Sequence, residues 1–249
     1  GALAGYAHEF VARGVDVIVT DGTSAARAAK AATTRIPIVM AAVGDPVDTG
    51  LVASFAHPGG NLTGYAILAT ETAAKRAQLV AELVPAAKDV AVVMDANNGM
   101  YALLRKRADE AYRALGIEPR FVTAQTVAEL AAKIADPALR MHALEVGVDV
   151  GSAEAVIVMR AADMRGVPVI AASRPLLEAG ALLEFDVDRR DHSRRVAAII
   201  DKVLRGTPPA SIAIEQPSSF VLVVNQKAAA KAGITVPAAL LLRADEVLR

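Results

Sequence analysis

The stretch VDVIVTDGTSAARAAK, residues 15–30, opens as a short run of β-branched residues, turns at Asp21-Gly22, and continues as an alanine-rich helix behind Thr23 and Ser24. β-Branched side chains suit a pleated, buried surface, and alanine is the best helix former. Strand, glycine turn and helix in that order form the repeating unit of a parallel sheet covered by helices.

The same alternation extends along the chain. Short apolar runs predict strands over 15–20, 36–42, 89–94, 120–123, 143–148 and 167–172, with 62–65 also extended. Helices are predicted over 24–32, 70–83, 100–115 and 193–204; in the last, Val196, Ile199, Ile200, Val203 and Leu204 form one apolar stripe. Breaks fall at Pro58-Gly59-Gly60-Asn61, near Glu178-Ala179-Gly180, and around Gly206-Thr207-Pro208-Pro209. The expected fold class is therefore α/β, with two Rossmann-like lobes of parallel sheet flanked by helices. Residues 1–64 and 184–212 are expected in lobe 1, residues 65–183 and 213–249 in lobe 2, with three crossings forming a hinge.

Composition narrows the function. Twenty-seven basic and 27 acidic residues give a formal charge of zero, so no global field draws nucleic acid, and nucleic-acid binding is not expected. The chain has no cysteine, which removes disulfides, thiolate metal sites and thiol nucleophiles without identifying the compartment. No apolar run reaches the ~20 residues needed to cross a bilayer. Residues 1–14 lack the basic-then-apolar pattern of a signal segment, so the chain as given is expected to be soluble.

Ligands of parallel sheets bind beyond the carboxyl ends of strands, where helix N-termini point unpaired amides outward. Gly22, Thr23 and Ser24 occupy such a place and suit a small carboxylate; the hydroxyls equally suit helix capping. Gly44 and Asp45 follow the next strand, where Asp45 suits an ammonium group or the cap of a helix from about Asp48. Asp95 and Asn97 follow the 89–94 strand as a ligand contact or an Asx turn. Arg174 suits a ligand carboxylate or an ion pair with Glu178. Among the few aromatics, Tyr65, Tyr101 and Phe185 are stacking candidates, with Tyr101 the one expected to face a cleft.

No Walker loop, dinucleotide fingerprint or metal-ligand spacing is present, so neither a cofactor nor a metal is expected. His8, His57 and His142 read as surface or turn residues, and 185–191 lacks the glycine and final glutamate of a calcium loop. The enzymatic rival is a serine hydrolase: Gly22 to Ala26 approximates a nucleophile elbow around Ser24, with Asp186, Asp188 and His192 as partners. Against it, His192 begins an arginine-rich amphipathic helix, where a solvated surface histidine is expected.

Whole stretches resemble the substrate-binding proteins of ABC transporters of the tryptophan and tyrosine type: VDVIVT (15–20), the turn at 22–26, IPIVMAAVGDPV (36–47), GLVAS (50–54), HPGGNLTG (57–64), EQP (215–217) and ADEV (244–247). The resemblance implies a type I periplasmic-binding fold with a ligand in its cleft. It further implies a receptor that does no chemistry and delivers a small solute, an amino acid or aromatic acid, to an ABC permease, in the periplasm or lipid-anchored outside the cytoplasm. It places the ligand carboxylate at Thr23 and Ser24 and the polar end of an amino acid at Gly44 and Asp45. The second lobe contributes loops near Asp95 to Asn97, Asp149 to Ser152, and Arg174. Ser24 stands where such proteins usually carry proline, and 95–98 replaces their usual Asn-Pro turn. They also carry a strand, helix and strand before the segment matching 1–14, so a homodimer or residues outside the sequence are expected to cover the open sheet edge. A ligand-sensing regulatory domain of the same fold is a third reading, but no helix-turn-helix or basic segment is attached.

Overall fold

The computed structural model describes residues 2–148 and 150–249; Gly1 and Asp149, the latter one of the expected ligand residues, lie outside the described residues. In chain order the elements are α1 (Ala2–Arg13), β1 (Ile18–Asp21), α2 (Thr23–Ala32), β2 (Ile38–Val43), β3 (Leu62–Ala66), α3 (Ala69–Leu83), β4 (Asp89–Val93), α4 (Tyr101–Ala114), β5 (Glu118–Val122) and α5 (Val127–Ala135). There follow β6 (Ala143–Val146), α6 (Ser152–Arg165), β7 (Val169–Ala171), α7 (Arg174–Glu178), β8 (Leu183–Val187), α8 (Arg189–Leu204), β9 (Phe220–Asn225), α9 (Gln226–Lys231), α10 (Ala238–Arg243) and β10 (Glu246–Leu248).

The chain divides into two compact units. Unit 1 is Gly1–Ala69, Asn98–Met100 and Val187–Ser219; unit 2 is Thr70–Asn97, Tyr101–Asp186 and Phe220–Arg249. The three long crossings fall a few residues later than the sequence-based boundaries, and local bonding within unit 1 explains two of the shifts. Tyr65 bridges Glu215, the Ala66 amide donates to the Glu215 carbonyl, and the Ile214 amide donates to the Phe55 carbonyl. The strand end at 65–66 and the segment at 214–215 thereby hold each other in unit 1.

Unit 1 carries a parallel sheet in the order β1-β2-β3. Alternation along β2 sorts its side chains: Ile38 and Met40 join a core with Ala26 and Ala29 of α2, whereas Val39 packs with Ile199 and Val203 of α8. Helices therefore cover both faces, which is why the strands read as continuous apolar runs. β1 is an edge strand with Val19 exposed, and Leu3, Tyr6 and Phe10 of α1 are exposed as well.

Unit 2 carries a sheet in the order β10-β9-β8-β7-β6-β4-β5. Its registered pairings are parallel. Val90 and Val92 of β4 face a core that includes α3 and Tyr112, while Ala91 and Val93 face the core built with α5, α6 and α7. The carboxyl ends of β4, β6 and β7 lie side by side, since β4 pairs β6 and β6 pairs β7. Among the described residues, no helix is long and apolar enough to cross a membrane.

Candidate functional site

In unit 1 the site is built from the ends of β1 and β2. Asp21 pairs with Ala42, and the Gly22 amide donates to the Ala42 carbonyl at 2.9 Å, so the turn after β1 lies against the strand leading into Gly44. Gly22 is the N-cap of α2 at φ 83°, a conformation that glycine adopts without strain. Having no side chain, it leaves the first turn without a side-chain cap, and the capping reading of Thr23 and Ser24 is thereby corrected: both lie inside the helix, Thr23 buried.

Ser24 has a different partner. Its Oγ accepts from the Gly99 amide at 3.0 Å, and a Cβ on Gly99 would stand 3.2 Å from that oxygen and 3.3 Å from Thr23 Cγ2. Met100, also of unit 1, follows at once. The Asp45 amide donates to its Sδ at 3.3 Å, and a Cβ on Gly44 would fall 1.8 Å from the same sulfur. Asn98 shapes this segment, its Oδ1 accepting from the Met100 amide at 2.8 Å. The turn at 22–24, the loop at 44–45 and the segment 98–100 thus form one cluster. Gly99 and Met100 are members that the sequence reading did not include.

Asp45 is buried and caps no helix: 46–50 is a turn, and the Thr49 amide and hydroxyl both donate to the Asp45 main-chain carbonyl, at 3.0 and 2.9 Å. His192 is also not the solvated residue expected. Its Nε2 lies 2.6 Å from the Ala41 carbonyl oxygen, which can only accept, so this nitrogen carries a proton; the ring meets Tyr65 edge-on at 4.9 Å. Asp188 caps α8 by accepting from the Arg190 and Asp191 amides. Two partners proposed for a triad around Ser24 therefore have structural bonds of their own.

In unit 2, Asp95 Oδ1 accepts from the Asn97 amide at 2.8 Å, the Asx turn foreseen as one of two readings. Tyr101 opens α4 and is partly exposed. Arg174 donates to Glu246 at 2.9 and 3.3 Å and to Glu178 at 3.4 Å, with Glu184 at 3.7 Å. Hydrogen bonding to Glu246 holds the guanidinium above its usual pKa and holds the Glu246 carboxyl below the usual carboxylate range. An arginine met by three protein carboxylates is poorly placed to recognise a fourth. Two stacking candidates are packing residues: Tyr65 is 1% exposed and Phe185 stacks on Phe220 at 5.5 Å.

A charged cluster that the sequence reading missed lies under the ends of β4 and β6. Arg76 of α3 donates from Nε to Glu145 Oε1 at 2.8 Å, and the Tyr112 hydroxyl donates to Glu145 Oε2 at 2.5 Å. Burial, reinforced by the Glu145 charge, pushes the Tyr112 phenol well above its ordinary pKa, so it remains a donor at neutral pH. A signal was available: Arg76 is in phase with Thr72, Leu79, Val80 and Leu83 on the buried stripe of α3, and Glu145 is the one charge in the buried strand ALEV.

The comparisons with known proteins agree with this architecture. A solved structure from Vibrio cholerae, described as a conserved domain protein, is 27% identical and superposes with a TM-score of 0.88, covering 99% of this chain and 83% of that one. An ABC domain from Streptococcus pneumonia in complex with L-Trp is 24% identical, with a TM-score of 0.87 and the same two coverages, a likeness of fold. A curated relative, the tyrosine-binding protein of Clostridioides difficile, is 28% identical over 229 residues. These are 88% of this chain and 64% of the relative, so the chain spans just under two thirds of that protein's length. The family model described as ABC transporter substrate binding protein matches residues 1–248, nearly the whole chain, and the chain belongs to that family.

Proposed function

We propose that this chain binds a small carboxylate-bearing solute, an amino acid or an aromatic acid, for an ABC permease outside the cytoplasm. In unit 1 the contacts come from the loops at the carboxyl ends of β1 and β2. The observation that carries the reading is the start of α2: a ten-residue helix with glycine at its N-cap, beside the loop that follows β2. First-turn amides and the helix dipole favour an anion there. Relatives described as binding tyrosine or L-Trp support the ligand class.

A thermal-shift screen of amino acids and aromatic acids tests it. A ligand at one hundred times its Kd adds about 2.7 kcal/mol to stability and gives a clear rise in Tm; no rise with any compound would refute the proposal. Ser24→Ala is expected to weaken binding by about tenfold, the scale of one hydrogen bond to a charged group. Ester hydrolysis by the wild type, lost in the same variant, would instead establish the hydrolase.

A homodimer would cover Val19 on the edge strand β1 and the exposed apolar residues of α1. Sedimentation velocity is expected to give a species near twice 25.8 kDa; a monodisperse 25.8 kDa species is the contrary result.

A further inference from the structure

Arg76 is anchored in a way that leaves part of its guanidinium unassigned. Nε is fixed on Glu145 Oε1, and Glu145 is fixed in turn by Tyr112. The terminal nitrogen NH2 comes up to Gly147, immediately after β6, where an added Cβ would be 3.2 Å from that nitrogen and 3.6 Å from the Val93 carbonyl oxygen at the end of β4. The arginine side chain is only 8% exposed and that of Glu145 2%. Among the described residues, no acceptor engages the terminal nitrogens, and the side chain is not wholly sealed from solvent.

Arg174 and Arg195 lack this combination. Arg174 is met by three carboxylates, and Arg195 is held by Asp191, Glu215 and Ser218. Arg76 is oriented at one edge by a buried carboxylate and open at the other, at the end of the sheet where α/β proteins place ligands. A guanidinium offers its donors as a planar fork that matches a carboxylate.

We propose that Arg76 is the carboxylate-recognising residue of unit 2, with Glu145 and Tyr112 as its positioning residues and Gly147 as the residue whose missing side chain leaves the terminal nitrogen uncrowded. The proposal rests on the reading that this protein binds a carboxylate-bearing solute.

The test compares acids with their carboxylate-free amines: L-tyrosine with tyramine, and L-tryptophan with tryptamine, titrated calorimetrically. Arg76→Gln alone leaves Glu145 as an unpaired buried charge, so the informative variant is Arg76→Gln with Glu145→Gln, its folding checked by circular dichroism. In this variant acid binding is expected to fall by tenfold to about a hundredfold, the scale of a charge-assisted pair, while amine binding changes by less than about threefold. Arg76→Lys, which keeps the charge and loses the fork, is expected to fall between the two. A folded double variant that prefers acid over amine as strongly as the wild type overturns this assignment alone. Should the thermal-shift screen identify a different acid, that acid and its carboxylate-free analogue replace these pairs; a wild type that binds no acid of the screen overturns the assignment together with the functional reading.

Discussion

Gly64→Ala is expected to unfold unit 1, or to destabilise it by more than about 3 kcal/mol, the combined scale of backbone strain and overpacking. Gly64 is in the middle of β3, where any side chain would face two obstacles. Its φ of 144° belongs to the region that L-residues rarely adopt. A Cβ there would stand 2.2 Å from the carbonyl oxygen and 2.5 Å from the amide nitrogen of Met40, which is its partner in the parallel pairing with β2. A flexible side chain could rotate away, but backbone in a central strand cannot. Relief would require β3 to separate from β2, breaking the ladder and the bond from the Glu215 amide to the Gly64 carbonyl. Urea unfolding measures the effect. A midpoint within about 1 kcal/mol of wild type would mean that β3 tolerates a backbone rotation this geometry excludes.

The fold was largely legible because its signal is local. Each apolar run from 15 to 172 lies within a residue or a few of an observed strand, since strands of a parallel sheet covered by helices are mostly apolar. The edges moved where hydrogen bonding decides: Gly14 at φ 63° and the bond from the Ile18 amide to the Pro37 carbonyl start β1 at Ile18 rather than Val15. Strands from Leu183 onward went unpredicted: Glu184 and Asp186 interrupt the apolar run of β8, β10 has only three residues, and the apolar run of β9 at 220–225 was there to be read.

The candidate cluster of unit 1 was partly legible. The turn at 22–24 and the loop at 44–45 announce themselves by glycine after a strand, and the structure sets them side by side. Nothing local indicates that Gly99 and Met100 join them, since Ser24 and Gly99 are 75 positions apart. Arg174 was singled out because it follows a strand. Yet a position at a strand end says nothing about charges nearby, and Glu246, 72 positions away, engages it. Arg76 was passed over because a lone arginine on an amphipathic helix is ordinarily solvated. The clue lay in coincidence: two opposite charges, each in phase with buried positions of its own element, must find each other or a ligand.

Glu145→Ala is expected to destabilise unit 2 by about 3–5 kcal/mol, because it leaves Arg76 charged and buried without its partner and removes the acceptor of the Tyr112 hydroxyl. The triple variant Arg76→Met, Glu145→Leu, Tyr112→Phe removes both charges and the hydroxyl together, fills most of the volume, and is expected to unfold within about 2 kcal/mol of wild type. The contrast between the variants separates two reasons for keeping such a network. If it exists for stability, the triple variant loses several kcal/mol despite its apolar filling, and the wild-type arrangement needs no ligand to account for it. If it exists to hold a guanidinium at the ends of β4 and β6, the triple variant stays folded and loses its preference for acids over amines. Urea titrations of both variants read the first quantity, and the tyrosine and tyramine titrations read the second. A fully stable triple variant that still prefers the acid would leave Arg76 with neither role.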